Sequence, residues 1–181
     1  MLFCLWATSG YAQRADVAKS TKEQKQEAKA VQGDILFKTA VEAIKARNFV
    51  WEFYNPRSTD KSKVCYNFMT IEGDSIYFQA AWSTQGRMQE GFRQSVGKIE
   101  QLTMTPDKKG NMKVYMKADM TDVQSSWRTT WTLTSSFKLF KGSNAAPWMG
   151  GWEGYIVLPS QANVTRLSGS MPLNIPQGFI K

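Results

Sequence analysis

The sequence predicts a mainly β protein: a single antiparallel β-barrel of about eight strands with an N-terminal α-helix. Three observations carry that expectation. Past Asn48, apolar residues alternate with polar ones, as they do along strands that bury one face. The alternating runs are joined by turn-forming segments such as Glu72-Gly73-Asp74-Ser75 and Pro106-Asp107-Lys108-Lys109-Gly110-Asn111. Ahead of them Phe37, Ala40, Val41 and Ile44 fall at i, i+3, i+4 and i+7, one sticky stripe of a helix. Such a meander must hide its edges, and closing into a small barrel does so; an open sandwich is the alternative.

From the N-terminus, residues 1–13 are apolar, then small, then polar. Gly10 and Ala12 suit the −3 and −1 positions of a signal-peptide cleavage site. Residues 1–12 therefore read as a signal-peptide remnant, and the protein as exported to the periplasm or cell envelope. No Lys or Arg precedes the apolar run, which leaves a buried N-terminal strand as the other reading. The run falls far short of the roughly 20 apolar residues of a membrane-spanning helix, so no transmembrane segment is expected. Phe3, not a small residue, precedes Cys4, which argues against a lipoprotein.

Residues 13–33 read as a charged helical lead-in. Ser20-Thr21-Lys22-Glu23 has the form of a capping box, and the stretch from Lys22 to Lys29 is polar all round. Gly33 costs about 1 kcal/mol against Ala in a helix interior, and Asp34 offers a cap from which the helix restarts. Residues 34–181 then hold the apolar-striped helix and the barrel. In 75–82 and 112–120 the even positions are apolar; in the longest run Trp127, Trp131, Leu133, Phe137 and Leu139 share the odd parity. Less regular strands are expected over 49–54, 64–71, 92–105, 154–158 and 164–173.

Composition excludes several chemistries. The chain of 181 residues contains no His, so Ser-His-Asp and Cys-His nucleophiles and His-containing zinc sites are out. Its two cysteines, Cys4 and Cys65, cannot make a disulfide scaffold or a four-thiolate metal site. Cys65, between Val64 and Tyr66, is expected to be buried. No cofactor is implied. The net charge of +8 invites a nucleic-acid reading, but the lysines are interleaved with Glu and Gln and no reading motif is present. Attraction to an envelope polymer or lipid head group through charge is the weaker alternative. Carboxylate pairs are the only acid/base groups left, and Glu72, Asp74, Asp119, Asp122 and Glu153 form no convincing pair, so no enzyme is expected.

Seven tryptophans are the one compositional excess. Trp127 and Trp131 lie on a strand's apolar parity and read as core. Trp148 and Trp152 lie in the glycine-rich stretch Pro147-Trp148-Met149-Gly150-Gly151-Trp152-Glu153-Gly154. With Tyr155 and Trp82 they are the candidate ligand-binding residues at a barrel mouth, because an indole offers a flat apolar face and an N–H donor to a small apolar or glycan ligand. Met69, Met104, Met116 and Met120 suit an adaptable lining or plain core. A filled barrel acting as an envelope scaffold or protein-interaction module is the rival expectation. Asp74-Ser75-Ile76 matches a short Asp-Ser/Thr-aliphatic O-glycosylation pattern, making Ser75 the candidate modification site.

Ala43-Ile44-Lys45-Ala46-Arg47-Asn48-Phe49-Val50 after a polar Lys/Glu helix, the hairpin Ile71-Glu72-Gly73-Asp74-Ser75 and the segment from Pro106 to Val114 occur in a telling order. In that order and spacing they resemble the Bacteroides-type family catalogued as domain of unknown function 4251. Phe137-Lys138-Leu139-Phe140-Lys141-Gly142 and Arg166-Leu167-Ser168-Gly169-Ser170-Met171-Pro172-Leu173 resemble the family's later strands. The resemblance spans 21–173. It implies an exported protein with a lipocalin-like β-barrel and an N-terminal helix, with no known activity and no catalytic residues. The lipocalin Gly-x-Trp signature is not matched: Phe49-Val50-Trp51 stands where the first strand begins.

Overall fold

The computed structural model describes residues 9–54, 65–82, 91–123, 129–148 and 151–167, with the side chains of 9–21, 82, 91 and 92 outside that description. Its elements are α1 (Ser9–Lys45), β1 (Asn48–Tyr54), β2 (Phe68–Glu72), β3 (Ser75–Trp82), β4 (Gly91–Pro106), β5 (Met112–Asp122), β6 (Thr130–Leu139) and β7 (Glu153–Val157). The strands form one sheet in the order β6-β5-β4-β3-β2-β1-β7, antiparallel throughout. It curls into a half-barrel around the C-terminal part of α1.

The expected closed barrel of about eight strands is thus corrected, among the described residues, to a seven-stranded half-barrel. The strand expected over 164–173 accounts for the difference. Its described part makes a single parallel bridge, Val164 to Cys65, and residues 168–173 lie outside the described residues. The physical reason is that residues 164–167 cross the convex face of the sheet. Side-chain amides there take up its backbone groups: Gln79 Nε2 donates to the Thr165 carbonyl (3.0 Å), Leu167 N donates to Gln79 Oε1 (3.0 Å), and Gln94 Nε2 donates to the Leu167 carbonyl (3.1 Å). A segment held this way has no need of a strand ladder.

Between β6 and β7 the chain turns at Lys141-Gly142-Ser143 and then runs back along β7. Ile156 N donates to Asn144 O (2.9 Å), Ala146 N to Gly154 O (2.7 Å) and Trp148 N to Trp152 O (3.1 Å). This short antiparallel segment covers the β7 edge, the device by which a curled sheet limits open pairing groups.

The alternation read from the sequence is realised as two faces. The concave face carries Phe49, Trp51 and Phe53 of β1, Met69 and Ile71 of β2, Ile76 of β3, Val114, Met116, Ala118 and Met120 of β5, and Leu133, Phe137 and Leu139 of β6. Ala40, Val41, Ala43 and Ile44 of α1 pack into it. Met69, Met116 and Met120 are core, at most 1% exposed. A smaller convex cluster of Val50, Phe68 and Tyr77 lies beneath Ala162 and Val164. Cys65 is buried there as a free thiol, its Sγ directed at the carbonyls of Asn67 (3.0 Å) and Phe53 (3.3 Å). Burial pushes that thiol up to about 11, which keeps it protonated and unreactive.

The helix is continuous where a restart at Asp34 was expected. Gly33 is buried against the β6–β7 connection, and a Cβ there would fall 2.1 Å from the Gly142 carbonyl oxygen. The glycine serves a close backbone approach and does not break the helix. The helix stops at Arg47, whose φ of 50° ends the turn. Arg47 O accepts from Gly73 N (2.8 Å) and its guanidinium pairs with Asp74, so the β2–β3 hairpin ties down the helix end.

Candidate functional site

The two ends of the half-barrel differ. The helix C-terminus and the β2–β3 and β4–β5 turns close one end. At the other end β1, β3 and β5 finish and β2, β4, β6 and β7 begin. There the concave face carries half-buried Phe78, Trp131, Trp148 and Trp152 around buried Phe53. Trp148 sits edge-on to Trp51 (centroids 4.8 Å apart, 84°) and against Phe53 (4.6 Å) and Phe78 (6.3 Å), while Phe78 meets Trp131 edge to face at 6.3 Å. The outcome is a wall of aromatic rings seated on the core.

A charged group borders the wall. Asp122, at the end of β5, accepts from Arg93 Nε and Nη2 (both 2.9 Å), from Ser95 Oγ (2.6 Å) and from Trp131 Nε1 (2.9 Å). The Arg93 guanidinium also lies 4.5 Å from the centre of the Trp131 ring. Three strands supply this cluster, and the register makes it: Ser95 is directly opposite Asp122. Burial alone raises the Asp122 pKa. The hydrogen bonds from Arg93, Ser95 and Trp131 outweigh it and hold the carboxyl below the usual range.

A carboxyl depressed by folding stabilises the native state above its unfolded pKa of about 3.9, and that stability is lost as pH falls through the folded value. Asp122→Asn is therefore expected to cost about 1–3 kcal/mol at neutral pH. The gap between variant and wild type is expected to shrink below about pH 4, as measured by urea unfolding across pH. An equal gap at pH 7 and pH 3 would count against a charged Asp122 at this site.

The predicted site residues divide between the two faces. Trp148 and Trp152 are brought together as bridge partners and both pack on the concave core. Tyr155 is corrected to the opposite side. It follows Gly154, which faces the core, and its ring meets Tyr54 at 6.0 Å. On that convex side the Tyr54 hydroxyl donates to Glu52 Oε2 (2.7 Å), and burial, then the Glu52 hydrogen bond, raise the Tyr54 pKa strongly. Glu52 Oε1 accepts from Asn163 N (2.8 Å). Through Glu52 this group fastens the C-terminal segment to β1. Trp82 ends β3 opposite Gly91, and its side chain lies outside the described residues. Ser75 is exposed at the start of β3.

Phe78, Trp131, Arg93 and Asp122 were not singled out as site residues from the sequence. The parity of Phe78 and Trp131 reads as core, and the cross-strand register carries that parity to the open end. Among the described residues no group of three or more Cys, Asp or Glu could hold a metal ion, and no helix is long and apolar enough to cross a membrane.

No family model matches the chain, and no curated protein matches it. Among solved structures it is similar to a DUF4251 family protein from Bacteroides eggerthii DSM 20697, with a TM-score of 0.49 and 18% sequence identity over 74% of this chain and 95% of that one.

Proposed function

We propose that the protein is an exported, non-catalytic half-barrel module that receives an apolar or glycan ligand at its open end. The supporting observation is the wall of Phe78, Trp131, Trp148 and Trp152 seated on the core, with Arg93 and Asp122 at its border. Flat aromatic faces beside a partly exposed guanidinium suit a ring that has both an apolar face and hydroxyl groups. That chemistry favours a saccharide over a wholly apolar molecule. Behind the wall Trp51, Met69 and Met116 are 0% exposed, so a ligand at the open end does not reach them. Binding is therefore expected at the rim.

The test is an oligosaccharide and lipid array read by intrinsic tryptophan fluorescence. At least one saccharide is expected to bind, and Trp152→Ala and Trp131→Ala are each expected to weaken it roughly tenfold. Unchanged circular dichroism would show that the variants remain folded. Binding that survives both substitutions would refute the site.

One observation favours the rival reading, a filled interaction module. Val31 and Ile35 lie one turn apart on α1, 61% and 59% exposed, on the helix face away from Ala40 and Ile44. An array with no hits, together with protein crosslinks from Val31 and Ile35, would favour it.

A further inference from the structure

At the other end of β5 from Asp122, the β4–β5 turn and the convex side of β5 and β6 form an open cleft of about 480 Å³. Its lining is Pro106, Asp107, Lys108, Lys109, Lys113 and Lys138. The strand register concentrates the charge, because Lys113 is the direct cross-strand partner of Lys138. Like charges placed opposite each other on a sheet destabilise it unless an anion lies between or beside them.

The one carboxylate in the lining is already committed. Asp107 accepts from Asn111 Nδ2 (3.1 and 2.9 Å), from Lys109 N (2.8 Å), from Asn111 N (3.0 Å) and from Lys138 Nζ (2.7 Å). Its oxygens have little left for Lys108, Lys109 and Lys113, whose ammonium groups have no carboxylate partner among the described residues. Beside them the Phe140 ring is 42% exposed and lies 5.6 Å from the Lys138 ammonium. Two residues along β5 from Lys113, Tyr115 stands opposite Ser136 and Lys117 opposite Thr134 on the same convex face. Ammonium groups, an exposed aromatic face and a row of hydroxyls form a set that matches charged sugars.

We propose that this cleft binds an acidic polysaccharide, with sugar carboxylates held by Lys108, Lys109 and Lys113 and a sugar ring against Phe140. The cleft is open, and its cations beside an exposed ring suit a chain that carries both rings and carboxylates more than a phosphatidylglycerol surface, which offers charge but no ring for Phe140. The site lies at the far end of the sheet from the tryptophans and does not rest on the reading given for them.

The full chain is to be tested on immobilised polygalacturonate. Binding is expected at about 20 mM salt and release by about 300 mM, where the screening length has fallen several-fold. The triple variant Lys108→Glu, Lys109→Glu, Lys113→Glu is expected to bind roughly tenfold or more weakly. The control Lys22→Glu, Lys25→Glu, Lys29→Glu makes the same change in net charge on the helix, and is expected to stay within about twofold of wild type. Equal losses in both triple variants would mean that net charge alone acts, and would overturn the proposal. So would no binding to polygalacturonate, whether or not phosphatidylglycerol vesicles bind. If the cleft triple variant fails to fold, Lys108→Gln with Lys109→Gln, both exposed on the turn, is expected to weaken binding about threefold, and an unchanged affinity there would overturn the proposal equally.

Discussion

Trp51→Ala is expected to lower the free energy of unfolding by about 3–5 kcal/mol, measured by urea titration followed with far-ultraviolet circular dichroism. Trp51 is 0% exposed at the centre of β1, between neighbours on both sides. Its ring meets Phe137 at 4.0 Å, Phe53 at 5.1 Å and Trp148 at 4.8 Å. Its Nε1 donates to the Ala146 carbonyl at 2.7 Å, joining β1 to the segment that covers the β7 edge. That bond exists only because position 154 is glycine: a Cβ there would fall 2.0 Å from the Ala146 oxygen and 2.5 Å from Trp51 Nε1. Trp51→Phe separates the two contributions. It keeps most of the packing but leaves a buried carbonyl without this donor, and is expected to cost about 1–3 kcal/mol. Because Trp148 rests edge-on against Trp51, the alanine variant is also expected to disorder the aromatic wall and lose ligand with it. A loss below about 1 kcal/mol for Trp51→Ala would show that the wall and the core are not one packed unit.

The same residues show what could be read from the chain alone. Alternation is a local property, so the parity of β3, β5 and β6 was legible: Ile76, Met116 and Leu133 are inside as their positions require. β4 was less so, because a register shift between Ile99 and Gln101 changes which parity faces the core within one strand. Before it Ile99 is core; beyond it the half-buried Leu102 and Met104 pack against the core. Parity also separates Trp152 from Tyr155, since Gly154 and Ile156 share the core-facing parity of Trp152 and Tyr155 does not. The Arg93–Asp122–Trp131 cluster draws on three strands and depends on register, which no single segment encodes. The segment over 164–167 has the composition of a strand, yet Gln79 and Gln94 take its backbone partners from the convex face. Those two glutamines, both 0% exposed, gave no local sign that they would be buried.

Gly33→Ala tests the case in which local and tertiary effects have opposite signs. In an exposed helix interior the substitution stabilises by about 1 kcal/mol, since alanine is the better helix former. Here the new Cβ would meet the Gly142 carbonyl oxygen at 2.1 Å and its carbon at 2.9 Å. The contacted backbone has little freedom to retreat. Gly142 holds a φ of 79°, Lys141 N donates to Asn111 Oδ1 (3.0 Å), and Ser143 N donates to Phe140 O (3.2 Å). The helix must therefore lift, and its next turns carry Phe37, Ala40 and Ile44 into the concave core. A 2.1 Å contact with backbone puts the overpacking cost in the upper part of its usual range, at about 2–3 kcal/mol, which exceeds the propensity gain of about 1 kcal/mol, so a net loss of about 1–2 kcal/mol is expected. Gln32→Ala, one residue away on an exposed position, is the matched control and is expected to stabilise slightly. Amide hydrogen exchange gives a second readout: protection should fall over 34–45 in the Gly33 variant and stay unchanged in the control. A Gly33→Ala protein as stable as wild type would mean that the helix and the β6–β7 connection do not press together in solution, and that α1 is held by its C-terminal turns alone.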